Sequence, residues 1–265
     1  MKSYLLRTVA LPVLFAAGPA MGQGLPASPY NWTGFYLGVN AGANWARSDA
    51  TTSASNTGAP GFAGPYFFGT DVSIIDGIGS GSMTGSGFTG GAQAGYNWQF
   101  NSMVVGLEAD FGAFHVNASR TATGAVLGGS GATPTITSSV DADWLFTARG
   151  RLGWAFGNLL PYVTGGVAVT HLSATNSYSE VGGGLGVATG TWSESKTKAG
   201  WVVGGGLEWA FTQQWSVRAE YLHVRFGSID ASGVVSISGV LYGSAISTST
   251  DLSANIARAG VSYKF

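Results

Sequence analysis

Few side chains in this sequence have the type and spacing to do chemistry. His171 and Ser173 form an H-x-S pair, the minimum for a serine nucleophile beside its base. Such a pair also needs an acid to orient the imidazole, for which Asp141 and Glu194 are the candidates. His115, His171 and His223 supply as many imidazoles as a zinc site uses, but they stand near the ends of three non-adjacent strands, at least about 10 Å apart, so no shared metal is expected. There is no G-x-S-x-G and no H-E-x-x-H. The glycine-dense stretches 77–90 and 182–190 lack the Lys-Ser/Thr that completes a phosphate-binding loop. With no cysteine, thiolate metal sites, cysteine nucleophiles and disulfides are excluded.

The other ionisable residues are more informative as a set. Glu108, Asp110, Asp143, Arg149, Arg151, Glu208, Arg218, Glu220, Arg258 and Lys264 are five acids and five bases, and every one falls on the same phase of a two-residue alternation. Phe111, Phe146, Trp154, Leu207, Trp209, Tyr221, Val261 and Tyr263 occupy the opposite phase, which carries no Asp, Glu, Lys or Arg.

That alternation belongs to eight strands in an internal repeat. Aromatic-rich segments end at Phe100, Phe156, Phe211 and Phe265, at intervals of 56, 55 and 54 residues. A short polar or Gly-containing connection follows each of the first three, and then a new alternation begins. Each repeat is a descending strand, a tight turn and an ascending strand, with long connections at 48–86, 119–139, 176–195 and 228–250. These connections are rich in Gly, Ser, Thr and Ala and read as mobile surface loops.

Composition says which face meets which solvent. Among 265 residues only 9% are charged, against roughly a quarter in ordinary soluble domains, while 12% are aromatic and 43 are glycine. Twelve bases against thirteen acids leave no basic surface for nucleic acid. Residues 1–22 carry Lys2 and Arg7, an apolar run of about ten residues and a small-x-small end at Ala20 and Gly22. This is the pattern of a secretory signal peptide, too short to span a bilayer as a helix, with cleavage expected near Gln23 and residues 23–265 as the mature domain. A soluble sandwich would turn its charges outward and its rings inward. A membrane barrel must do the reverse, because a basic side chain at the lipid midplane costs about 2–4 kcal/mol. The expected fold is therefore all-β, an eight-stranded antiparallel up-and-down transmembrane β-barrel, closed because open strand edges are not tolerated in hydrocarbon.

The segment Tyr30-Asn31-Trp32-Thr33-Gly34-Phe35-Tyr36-Leu37-Gly38-Val39-Asn40-Ala41-Gly42 resembles the start of the small outer-membrane surface antigens, or outer membrane immunogenic proteins, of alphaproteobacteria. The last residues, with Arg258, Gly260, Tyr263 and Phe265, resemble the C-terminal signal read by the barrel assembly machinery. The resemblance implies a bacterial outer-membrane location with both termini in the periplasm. It also implies partners among outer-membrane lipid, lipopolysaccharide, the assembly machinery and periplasmic chaperones, and a structural or surface-antigen role. Some relatives carry a peptidoglycan-binding domain, which is not expected beyond Phe265.

A barrel of eight strands is filled by its own side chains. Glu108, Glu208 and Glu220 are accordingly expected to pair with Arg149, Arg151, Arg218 and Arg258, with Asp110 and Asp143 in the same network. No enzyme activity and no cofactor are expected. Three alternatives use the same residues differently: a small porin whose constriction is these charges, haem capture by the extracellular loops, and lipid A deacylation through His171 and Ser173, whose flanking residues depart from the deacylase motif.

Overall fold

A computed structural model describes residues 30–55, 61–183, 186–237 and 239–265; the signal sequence read at 1–22 lies outside them. Eight strands follow one another as β1 (Gly34–Ala54), β2 (Gly81–Phe100), β3 (Met103–Thr123), β4 (Ala132–Trp154), β5 (Leu159–Gly182), β6 (Ala188–Ala210), β7 (Trp215–Ile237) and β8 (Val240–Lys264). Each pairs antiparallel with its sequence neighbour, and β8 pairs with β1, for example Val39 with Val261, so the sheet is a closed barrel. One helix is found among the described residues, α1 (Thr70–Gly79), between β1 and β2.

The turns at the end holding the termini are tight because the residues there suit them. Asn101 takes φ 54° and Gly157 φ 63°, left-handed conformations that asparagine and glycine tolerate. The Thr212 hydroxyl accepts the Trp215 amide at 2.9 Å and so holds the third turn.

The strands run 20 to 25 residues, about twice the length that crosses a bilayer at a tilt. This corrects the loop boundaries drawn from sequence. Most of 119–139, 176–195 and 228–250 is strand; of 48–86 the two ends, 48–54 and 81–86, are strand and the described part between them includes α1, while 124–131 remains a connection. The physical reason is that alternation continues upward, away from the termini, with its polarity reversed. Val116, Ala118, Val140, Leu172, Val224 and Leu252 point into an apolar interior, while Asn117, Ser119, Thr175 and Ser179 cover the outside. Lower down the outside is hydrocarbon-like, with Phe35, Leu37, Leu107, Leu152, Val163, Leu207 and Trp209 exposed.

One further correction concerns Asp143. The β4 ladder is bulged between Ala142 and Leu145, so the inward phase changes parity there. Leu145, Thr147, Arg149 and Arg151 are buried below the bulge, whereas Ala142 and Val140 are buried above it. Asp143, on the inward phase by simple counting, is exposed on the outer wall.

The interior has four storeys. Tyr30 and Trp32 fold into the lower mouth against Val104, Leu160 and Ala210, and the Trp32 indole donates to the Gly157 carbonyl at 3.2 Å. A polar storey follows, then the apolar core, then a second apolar cluster in which Ile75 of α1 packs with Tyr66, Phe67 and Trp192 to close the top.

Candidate functional site

The polar storey is built by one parity of five strands. Glu108 and Asp110 come from β3, Arg149 and Arg151 from β4, Glu208 from β6, Arg218 and Glu220 from β7 and Arg258 from β8, and all eight are buried. Arg149 reaches Glu108 at 2.5 Å, Asp110 at 2.8 Å and Glu220 at 2.9 Å. Arg258 bridges Glu220 at 2.7 Å and Asp110 at 3.1 Å, Arg218 meets Glu108 at 2.5 Å, and Arg151 meets Glu208 at 2.7 Å. Four guanidiniums face four carboxylates, so the cluster is neutral. Its bonds from β3 to β7 and β8 cross the lumen rather than run along the wall.

Burying eight charges costs several kcal/mol each unless Coulombic attraction and hydrogen bonds offset it. Neutral donors add to the offset here. Tyr36 donates to Glu108 at 2.7 Å, Tyr162 to Glu220 at 3.0 Å, Thr147 to Asp110 at 2.7 Å and Ser216 to Glu208 at 2.6 Å. The Arg151 guanidinium lies over the Tyr162 ring, 4.1 Å from its centroid. Both tyrosines need a glycine as cross-strand partner. Tyr36 pairs with Gly95 and Tyr162 with Gly206, and a Cβ on Gly206 would sit 2.8 Å from the Tyr162 hydroxyl.

The structure thus brings together eight of the nine lumenal residues read from sequence and leaves Asp143 outside. Tyr36, Tyr162, Thr147 and Ser216 were missed as members of the network, although the same inward parity marks them. A second buried polar group was missed altogether. Glu180, at the top of β5, accepts from the Tyr66 hydroxyl, from the Tyr178 hydroxyl at 2.8 Å and from the Ala188 amide at 3.2 Å. Burial pushes the Tyr178 hydroxyl well above its usual range, and the bond to Glu180 adds to the shift.

The H-x-S residues do not meet. Ser173 Oγ pairs with Ser195 Oγ at 2.9 Å, His171 Nδ1 with Thr197 at 3.4 Å, Asp141 with Asn117 at 2.6 Å and Glu194 with Lys196 at 2.8 Å. Among the described residues no three metal-ligating side chains converge. At the chain end Arg258 belongs to the lumenal cluster, and Gly260 packs beside the Val39 carbonyl. Tyr263 stacks edge-on against Trp215 and Phe265, and the Phe265 amide donates to Phe35 at 3.0 Å.

A closed wall with rings outside and ions inside is matched by the family model of the outer membrane protein beta-barrel domain, which covers residues 9–265. The chain belongs to that family. This outer-membrane β-barrel is similar to the 31 kDa outer-membrane immunogenic protein of Brucella melitensis, at 31% identity with both chains covered over their full length. It is also similar to the 25 kDa outer-membrane immunogenic protein of Brucella abortus, at 24% identity over 76% of this chain and 69% of the relative. Both relatives are named as outer-membrane immunogenic proteins. Among solved structures, Neisserial surface protein A aligns with 88% of this barrel and 98% of its own chain at 15% identity and a TM-score of 0.32. The barrel is a bacterial outer-membrane protein whose outer wall meets membrane lipid and lipopolysaccharide.

Proposed function

We propose that this barrel is a structural and surface-exposed component of the outer membrane whose lumen does not conduct. Residues 1–22 serve as the export signal, and Arg258, Gly260, Tyr263 and Phe265 serve as the mark read at assembly. The supporting observation is the lumenal cluster, in which seven ion pairs, four of them between non-adjacent strands, fill the section directly beneath a continuous apolar core. A small porin needs a wetted path past its charged constriction. Water entering here would have to part Arg149 from three carboxylates and then pass Phe114, Leu222 and Phe226. The lipid A deacylase reading has no support from His171 and Ser173, which bond to other partners.

The test is planar-bilayer recording of the refolded mature chain. The expected trace is flat across the voltage range, and stable unitary conductance steps would overturn the proposal.

A further inference from the structure

The mature region carries ten Lys and Arg residues, and six of them have structural employment. Four fill the lumen, Lys264 stands at the lower mouth over the Tyr30 ring, and Arg120 donates to the Ile78 carbonyl beneath α1 at 2.7 Å. The remaining four are Arg47 on β1, Lys196 and Lys198 on β6 and Arg225 on β7. All lie just above the apolar band, on the side of the barrel away from β3 and β4.

Register aligns the residues around the two arginines into rows on the outer wall. The lowest runs His223, Asn255, Trp45, Ser86 across β7, β8, β1 and β2, level with the top of the band. Above it runs Arg225, Ser253, Arg47, Thr84, and above that come Asp251, Asp49 and Ser82. A groove of about 470 Å³ opens between the lower rows, lined by Trp45, Arg47, Thr84, Ser86 and Asn255.

Each member has a preset geometry. Arg47 is held by two bonds to Asp49, at 3.1 and 3.2 Å, and one to Ser82 at 2.8 Å; its Nη1 makes no hydrogen bond among the described residues. Arg225 leans on Asp251 at 3.5 Å. Both arginine side chains remain more than half exposed. His223 Nδ1 donates to Asn255 Oδ1 at 2.9 Å, which leaves the amide NH2 of Asn255 for another acceptor. Trp45 presents a ring that is 52% exposed.

An exposed indole, an oriented amide and two hydroxyls beside fanned guanidiniums match a sugar that bears phosphate. Pyranose rings have an apolar face for the indole, and guanidinium forks match phosphate oxygens. Arg47 and Arg225 stand two strand spacings apart, about 10 Å, across Ser253, so one headgroup can contact both. The partnering aspartates decide the source of that phosphate. They leave the patch with almost no net charge, so a free anion gains little from it. A headgroup anchored at this height by its own acyl chains arrives at high effective concentration.

We propose that the groove beside Trp45, extended by Arg225, binds the phosphorylated sugar headgroup of an outer-leaflet glycolipid, with Arg47 and Arg225 on phosphate and Trp45 against a sugar ring. The proposal rests on the orientation that places the long-strand end outside the cell. A tag inserted at 124–131 and stained on intact cells reads that orientation separately.

The binding test uses the refolded mature chain in detergent, titrated with lipid A, dephosphorylated lipid A and inorganic phosphate and followed by native mass spectrometry. Lipid A is expected to bind at least ten-fold more tightly than its dephosphorylated form. Arg47→Ala with Arg225→Ala should abolish that preference, and Trp45→Ala should weaken both lipids. Lys196→Ala with Lys198→Ala should retain the preference, and millimolar phosphate should not compete. Retained folding is read from the heat-dependent gel shift, with Arg47→Gln and Arg225→Gln as the fallback pair. Equal binding of the two lipids, an unaffected arginine double variant, loss through the lysines instead, or competition by inorganic phosphate would each overturn the assignment.

Discussion

The lower and upper halves of this barrel solve the same packing problem with opposite chemistry. In the lower half the wall faces hydrocarbon, and the lumen holds Glu108, Asp110, Arg149, Arg151, Glu208, Arg218, Glu220 and Arg258. In the upper half the wall carries Ser, Thr, Asn and charged residues, and the lumen is filled by Phe114, Leu145, Leu172, Leu222, Phe226 and Ile256. One continuous sheet is therefore inside-out below and ordinary above. The surrounding solvent sets the outer face, and the inner face takes whatever the outer face excludes. The two interiors also fail differently. An apolar core loses contacts in proportion to what is removed, whereas an ionic core exposes an uncompensated buried charge when any one partner goes.

Substitutions can sharpen that contrast. The largest effect is expected for Glu108→Ala, which strands Arg218, takes one of three carboxylates from Arg149 and removes the acceptor of Tyr36; urea unfolding in liposomes should show a loss of about 3–5 kcal/mol. A loss under about 1 kcal/mol would mean the cluster is wet enough to solvate its own cations. Leu222→Ala in the apolar storey should cost about 2–5 kcal/mol by the same measurement, through a cavity and without any charge left behind. Pairing Glu108→Ala with Arg218→Ala should restore part of the first loss, and no second substitution of that kind exists for the apolar storey.

The outer wall gives the next test, with one substitution placed in two solvents. Val163→Arg stands in the apolar band and should cost about 2–4 kcal/mol, whereas Ser179→Arg, exposed near the top of the same strand, should change stability by less than about 0.5 kcal/mol. Equal costs at the two positions would mean that the apolar band does not end where the polarity of the wall reverses.

Much of the lower half was legible from residue order alone, because lipid excludes charge so strictly that parity sorts Glu108 and Arg149 inward without any knowledge of partners. The upper half was not, because Thr, Ser, Ala and Gly alternate there as they do in loops. What makes 132–142 a strand is that Val140 and Ala142 join Phe114 and Leu172 of the flanking strands in the apolar core, and Ile136 joins Phe67 and Tyr178 in the cluster above it. Glu180 was invisible for a related reason. Its partner Tyr66 lies 114 residues away on a connection with no period, and only the closed top brings the two together.

The smallest effect tests the point where the two halves join. The bulges at Ala113 to Val116 in β3 and at Ala142 to Leu145 in β4 lie at the height where the lumen changes from ions to hydrocarbon. A change of phase there lets β4 present Thr147 and Arg149 below and Ala142 and Val140 above without burying Asp143 between them. Asp143→Asn should therefore shift stability by less than about 0.5 kcal/mol, as befits an exposed surface residue, while Asp110→Asn, which weakens the hold on Arg149 and Arg258, costs clearly more. If Asp143→Asn proved as damaging as Asp110→Asn, Asp143 would belong to the lumen after all. The strand would then run through that level without a bulge, and every residue above it in β4 would have to turn the other way.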